Sequence, residues 1–354
     1  MSGVTGVDVA VIGGGITGCA LAAFAAEAGA SVQVFERERI AAGASGRNSG
    51  SVQHPMDPVL APLFEETVGH YRGLGHGFAL PAEPAGVLVL GVEEFETGFP
   101  ELEAQRLEGA ELTALEPALA GDLVAVRLAT GYPVPPAAAT SAFAARAKAA
   151  GAQIHEGTAA RLWRDFGRVA GVQTRAGRTP AGAVVIAAGP WSPAVADPSG
   201  HWRPIAPVWG VNVELRLPAP PRHTLEEAGV ETVLRGGPPS IFALVTADGV
   251  SALGATFLRD EPDPAAFVPV LLERGARFVP QLADASAASV RACARPQCFD
   301  GRPLLGALEE NLYAVTGHGP WGISLGPASA RLVADVVLGR GASIAPELRA
   351  ERAT

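Results

Sequence analysis

The apolar positions of the chain fall into short blocks separated by glycine and proline, and their period changes along the sequence. Val7, Val9, Ala10, Val11 and Ile12 form a mostly apolar run that ends in glycines, the pattern of a strand buried in a parallel sheet. Residues 19–28 are alanine-rich and predict a helix; residues 31–35 predict a second strand. "AGAVVIAAGPWS" (181–192) reads as another buried strand. "NLYAVTGHGPWGISLGPASARLVADVVLG" (311–339) reads as strand, glycine-rich turn and helix, with Leu325, Leu332, Val333, Val336 and Val337 at helical spacing. "AAATSAFAARAKAAGA" (137–152) predicts one more helix. "AEPAGVLVLGVEE", "APVWGVNVELRL" and "SIFALVTADGVSALGATFL" carry strand patterning. Residues 93–117 are acidic with helical spacing, which is most simply a solvated helix face. Residues 217–239 are proline-rich and polar, a surface loop with a short helix or an active-site lid.

The turn after the first strand carries the first chemistry. Gly13, Gly15 and Gly18 have the G-x-G-x-x-G spacing. Gly13 allows the tight turn, Gly15 lets the backbone approach a pyrophosphate, and Gly18 permits close helix–strand packing. The helix that comes next points its unpaired N–H groups at that position. Glu36 closes the second strand, where a carboxylate accepts the ribose hydroxyls of a dinucleotide and repels a 2′-phosphate, which argues against NADP. Strand, triplet, helix, strand and acid in register predict a dinucleotide site, and by themselves they fit NAD or FAD equally.

Composition narrows the class. The 354 residues are 48% apolar and 18% charged, enough for two domains or for one large domain with an inserted one, and the net charge of −9 argues against non-specific nucleic-acid binding. Three cysteines, Cys19, Cys293 and Cys298, make no disulfide framework for a chain of this size, which points to the reducing cytoplasm. No apolar stretch approaches the length of a membrane span, and the N-terminal segment lacks the basic start of a signal peptide. The seven histidines are scattered without metal-ligand spacing, so no metal site is expected. Nothing in the sequence sets an oligomeric state.

The segment after Glu36 separates the cofactors. A simple NAD domain would continue into another βα unit; residues 41–50 instead form a small-residue loop with polar atoms from Ser45, Asn48 and Ser49, suited to lie along a flat ring system. A second helix start near Gly322, Ile323 and Ser324 offers a positive dipole end for the N1–C2=O side of a reduced flavin. In order along the chain stand "VIGGGITG", "VFERE", "GASGRNSGS", "VVIAAGPWS", "RPQCFDGRPLLG" and "GHGPWGIS". With these motifs the chain resembles the FAD-dependent family of D-amino-acid oxidase, glycine oxidase and monomeric sarcosine oxidase over residues 7 to about 340.

The resemblance implies an α/β fold of two domains (α+β in the wider sense), a Rossmann-like FAD-binding domain and a substrate domain whose antiparallel sheet roofs the flavin. Residues 1–80, 137–204 and 286–354 would make the FAD-binding domain, and 81–136 and 205–285 the substrate-binding domain. It places FAD on Ile12, Gly13, Gly15, Ile16, Thr17 and Gly18, on Glu36 and Arg37, and on Ala44, Ser45, Asn48, Ser49 and Gly50. The set continues with Ala160 near the adenine, then Ala188, Gly189 and Trp191, then Gly319, Pro320, Gly322, Ile323 and Ser324.

In such enzymes an amine donates hydride from its α-carbon to flavin N5, and water hydrolyses the resulting imine. That step needs a positioned neutral amine and no dedicated strong base. Arg295, in "CARPQCFDG", stands where the family arginine grips the substrate carboxylate through two charge-assisted bonds; the plainer role is a structural ion pair with Asp300. His318 and Trp321 stand in the glycine turn over the expected flavin, and His54 comes just past the small-residue loop. The expected partners are therefore a small carboxylate-bearing amine and oxygen or another electron acceptor.

Two departures from the family pattern matter. Residues 201–290 contain no tyrosine to assist the arginine, and Ala252 stands where sarcosine oxidase-like members carry an oxygen-activating lysine before Leu253-Gly254. Cys293 has the spacing of their flavin-linking cysteine, but the surrounding motifs resemble glycine oxidase and favour non-covalent FAD. Oxidation of a 2-hydroxy acid, or a flavoprotein subunit passing electrons to a partner, are the alternative activities. The first would use Arg295 in the same way; the second would hold FAD without reduction by any small substrate.

Overall fold

Alternating strand and helix segments near the N-terminus produce the first layer. The computed structural model describes residues 6–92, 99, 102–229 and 240–353. The Val7–Ile12 strand lies at the centre of a sheet, parallel to Val32–Phe35 on one side and to Gly177–Ile186 on the other. Val9, Ala10, Val11 and Ile12 are buried, as expected of a strand covered on both faces. The order across the sheet is Leu304–Glu309, Leu312–Thr316, Gly177–Ile186, Val7–Ile12, Val32–Phe35, Gln153–His155; the first pair is antiparallel and the rest parallel. An antiparallel flap, Arg161–Asp165 with Arg168–Thr174, extends from the long Gly177–Ile186 strand.

The helix after the glycine turn runs over Ile16–Glu27, three residues earlier than the alanine pattern suggests, and takes in Gly18. Its alanines let it lie buried between the sheet and two other helices, Ala138–Ala149 and Gly322–Val337. Gly18 shows why: a Cβ there would stand 2.0 Å from the Gly13 carbonyl oxygen. The small-residue loop at 41–50 is not wholly irregular, because Ala44–Arg47 forms one helical turn.

A second sheet of eight strands stands over the C-terminal ends of the first. Its order is Ser289–Cys298, Ile205–Leu215, Val250–Thr256, Ser240–Ala247, Thr224–Glu227, Val87–Leu90, Val124–Leu128, Ala104–Glu108. Neighbours are antiparallel except Thr224–Glu227 with Val87–Leu90, which run parallel. Phe242, Leu244, Leu253, Leu271, Val279 and Leu282 form the core beneath one face, against the Val268–Ala276 helix. The other face looks toward the first sheet.

Three segments differ from the pattern-based expectation. Residues 104–108 form an edge strand, and only Gly109–Leu115 of the acidic 93–117 stretch is a described helix; 93–98 and 100–101 lie outside the described residues. Within the proline-rich 217–239 stretch, Thr224–Glu227 is an interior strand with Thr224 and Leu225 buried, because both edges find partners in the sheet; 230–239 lie outside the described residues. The Ser289–Cys298 strand pairs with residues 205–214 of the Ile205–Leu215 strand and so sits in the second sheet, although the sequence groups 286–354 with the nucleotide segments.

Candidate active site

A cavity of about 520 Å³ runs between the two sheets, from the glycine turn to the strands of the roof. Gly13 at its floor has φ +118°, and a Cβ on it would approach the Ala187 carbonyl oxygen to 2.3 Å, so the turn is closed to any side chain. Gly15, Ile16 and Thr17 come next on the cavity wall. Neither long helix that starts here, Ile16–Glu27 nor Gly322–Val337, has a side-chain cap on its N-cap residue. Ser45 Oγ takes the Ile16 N–H at 2.9 Å, and Gly15, Ile16 and Thr17 of this first turn line the cavity. Two open helix N-termini and a glycine floor are a cradle for an anionic, flat, elongated group.

Glu36 also lines the cavity, but its carboxylate is already in use. One oxygen accepts the Gly14 N–H at 2.7 Å and the other the Glu38 N–H at 2.8 Å. Each carboxylate oxygen keeps a second lone pair for a hydroxyl donor. Arg37 stacks its guanidinium 3.9 Å over the Trp191 ring, and both side chains edge the cavity with Ala160.

The loop residues divide between wall and scaffold. Ala44, Ser45, Asn48 and Ser49 line the cavity. The Asn48 amide nitrogen donates to the Ala44 and Ser45 carbonyls, and its oxygen accepts the Gly50 N–H at 2.8 Å. Its side chain therefore builds the loop rather than reaching a ring. Gly50 (φ +86°) lies off the wall, where a Cβ would meet the Val134 carbonyl at 2.2 Å. Gly18 is likewise a packing residue away from the cavity. Ser324 is buried behind the wall, its hydroxyl accepting the Gln53 N–H at 3.0 Å. Ile12, Ala188, Gly189, Gly319, Pro320, Gly322 and Ile323 all reach the cavity.

Arg295, His318 and Trp321 come together at the far end. Arg295 does not pair with Asp300, which is held by Arg352 at 3.1 Å. Instead its guanidinium lies across Gly210, donates to the Thr256 carbonyl at 2.8 Å and stacks 4.6 Å over Phe257. Among the described residues no acidic side chain neutralises it, and burial lowers its pKa. His318 is buried, its Nε2 3.0 Å from Ser329 Oγ, and burial pulls its pKa down to about 4, so the ring is neutral at neutral pH. Cys293 lines the cavity beside Arg295, and burial pushes its thiol up despite the nearby guanidinium groups, so it stays protonated. His54 is buried against Phe64 and Phe99, away from the cavity wall.

Three wall residues lie outside every motif, Gln53, Asn212 and Glu226, and a fourth, Arg47, lies inside GASGRNSGS but was given no role from the sequence. Asn212 and Glu226 come from roof strands whose cavity face no short motif marks.

The sequence model of the FAD dependent oxidoreductase family matches residues 8–336. Glycine oxidase of Geobacillus kaustophilus is 30% identical over 363 residues, covering 93% of this chain and 92% of its own. The crystal structure of glycine oxidase from Geobacillus kaustophilus superposes with a TM-score of 0.85 at 27% identity over 98% of this chain and 99% of that one. L-proline dehydrogenase from P. horikoshii shares the fold, with a TM-score of 0.83 at 21% identity, over 98% of this chain and 97% of that one. Among the described residues no helix is long and apolar enough to cross a membrane.

Proposed function

The chain belongs to the FAD dependent oxidoreductase family, and on that premise we propose that it oxidises the C–N bond of a carboxylate-bearing amine anchored on Arg295. The observation that carries the reading is the guanidinium itself. It is half-buried in the cavity wall, among the described residues without an acidic partner, while the acid of its own motif is engaged by Arg352. A partly desolvated cation without a counter-ion is costly, and a substrate carboxylate offsets that cost with two parallel hydrogen bonds.

FAD, when bound, supplies the two-electron oxidant for the substrate Cα–H bond. The glycine floor at Gly13 and Gly15, the donors at the two open helix starts and the free lone pairs of Glu36 are the groups that would hold it. The polypeptide's task is then orientation. Phe257 and the Thr256 carbonyl fix the guanidinium plane, which fixes the carboxylate and leaves one rotation for the α-carbon. His318, neutral and tied to Ser329, adds no charge beside the reacting carbon. Ile241, Phe257 and Trp209 keep bulk water from the roof side.

The test is anaerobic. Pools of glycine, N-methylated amino acids and D-amino acids are added to the purified yellow protein, and the flavin absorbance is monitored before and after air is admitted. Bleaching with release of ammonia or an amine supports the reading. Bleaching by 2-hydroxy acids alone replaces it with the hydroxy-acid activity, and a protein that no carboxylate bleaches refutes it.

A further inference from the structure

The cavity contains an ionisable group for which amine oxidation has no use. Glu226 reaches it from the Thr224–Glu227 strand of the roof, paired in register with Ala243. One carboxyl oxygen accepts from Gln53 Nε2 at 3.0 Å; among the described residues the other has no partner. Gln53 is itself fixed, its amide oxygen accepting the Ser51 hydroxyl at 2.7 Å and its backbone N–H bound to Ser324. The result is an aimed carboxyl group with an open acceptor. Burial raises its pKa, which is the signature of an acid that lacks a cation. An apolar side chain would cost less at this place unless a ligand supplies the missing donor.

Its position fixes which part of a ligand it meets. The Arg295 guanidinium reaches over Gly210, on the neighbouring strand, to the carbonyl of Thr256 on the strand after that. Thr224–Glu227 lies two strands further, beyond Ser240–Ala247. Two strand spacings across the sheet, roughly 10 Å, and two residues along it therefore separate the Thr256 carbonyl from the backbone of Glu226, which lies opposite Ala243 and, through it, Gly254. The Glu226 side chain covers part of that distance, and a substrate whose second amine lies several carbons from its carboxylate covers more of the rest than a two-carbon amino acid does.

We propose that Glu226 determines specificity by receiving a donor at the far end of the substrate, an ammonium above all, so that the site prefers amino acids with a distal second amine over glycine. The inference rests on the assignment of Arg295 to the carboxylate and makes that site two-pronged.

Binding of unreactive probes to the FAD-loaded protein tests it without turnover. Pentanoate and 5-aminopentanoate, which share a five-carbon chain, are titrated anaerobically while the flavin spectrum reports occupancy. A charge-assisted bond at Glu226 predicts that 5-aminopentanoate binds at least roughly tenfold more tightly. Glu226→Gln should remove that preference while leaving pentanoate affinity within about twofold. Gln53→Leu, which keeps the carboxyl but frees it, should reduce the preference and serves if the first variant does not retain FAD. Equal binding of the two probes to the unaltered protein, or a preference that survives the substitution, overturns the inference alone. Failure of both probes to bind overturns it together with the carboxylate role of Arg295.

Discussion

Replacing Arg295 with methionine separates the substrate anchor from the architecture around it. The guanidinium makes one hydrogen bond to the protein, to the Thr256 carbonyl, and no ion pair among the described residues. Losing that bond costs about 1 kcal/mol, offset by removal of an unpaired buried charge. The substrate loses more. Two charge-assisted bonds are each worth about 1.5–3 kcal/mol and are not additive, so a net loss of about 3 kcal/mol is a fair expectation. Arg295→Met should therefore lower kcat/KM for a carboxylate-bearing amine by about two orders of magnitude. FAD content should stay at one per chain, and Tm should stay within a few degrees. Anaerobic stopped-flow reduction of the flavin gives the rate and the apparent affinity separately. The matched amine without a carboxylate is the control, and its reduction should be nearly unchanged. Unchanged kcat/KM for the carboxylate substrate, or equal losses for both amines, would refute the anchoring role.

The same anchor can be disturbed from beneath, because a Cβ on Gly210 would lie 2.4 to 2.6 Å from three guanidinium atoms. Gly210→Ala should raise KM for carboxylate substrates about tenfold or more, with FAD retained; an unaltered KM would show that the guanidinium position does not set affinity. Gly13→Ala places a methyl 2.3 Å from the Ala187 carbonyl at φ +118°, so FAD should be lost on gel filtration and stability should fall by about 2 kcal/mol or more. A stable, fully yellow variant would count against the glycine floor. His318 predicts an acid-sensitive fold. Its folded pKa of about 4 lies below its ordinary 6.5, so the unfolded chain binds the extra proton in between. Stability should fall as pH drops from about 6.5 toward 4, by about 2 kcal/mol between pH 7 and 5. Urea unfolding at the two pH values measures this, and His318→Gln should flatten the step; equal stability at the two pH values would show that the imidazole is charged or exposed.

Much of the nucleotide half was legible because its chemistry is local. The glycine spacing, the apolar run before it and Glu36 after it all lie within one βαβ segment, and Gly13 and Gly18 occupy the places that spacing assigns. The roof was legible only as strand material. Thr224–Glu227 was hidden in a proline-rich, charged run, since four residues give too short a period to separate a strand from a loop. The helix expected across 93–117 gave way over 104–108 to pairing with Val124–Leu128, a tertiary contact that outweighs the intrinsic preference of glutamate and alanine.

By itself, then, the sequence carried the family, the spacing of the glycine turn and the motif in which Arg295 stands, because each depends on residues close together in the chain or on a motif with a fixed internal spacing. Tertiary structure decided what that arginine faces. Only the register of Ser289–Cys298 against Ile205–Leu215 lays Arg295 over Gly210 and away from Asp300. Only the strand order of the roof sets Glu226 on the same cavity wall four strands away, 69 residues distant in sequence. The charges of a site are written in the chain, but the distances between them belong to the sheet, whose pairings join segments far apart in sequence and leave no local trace.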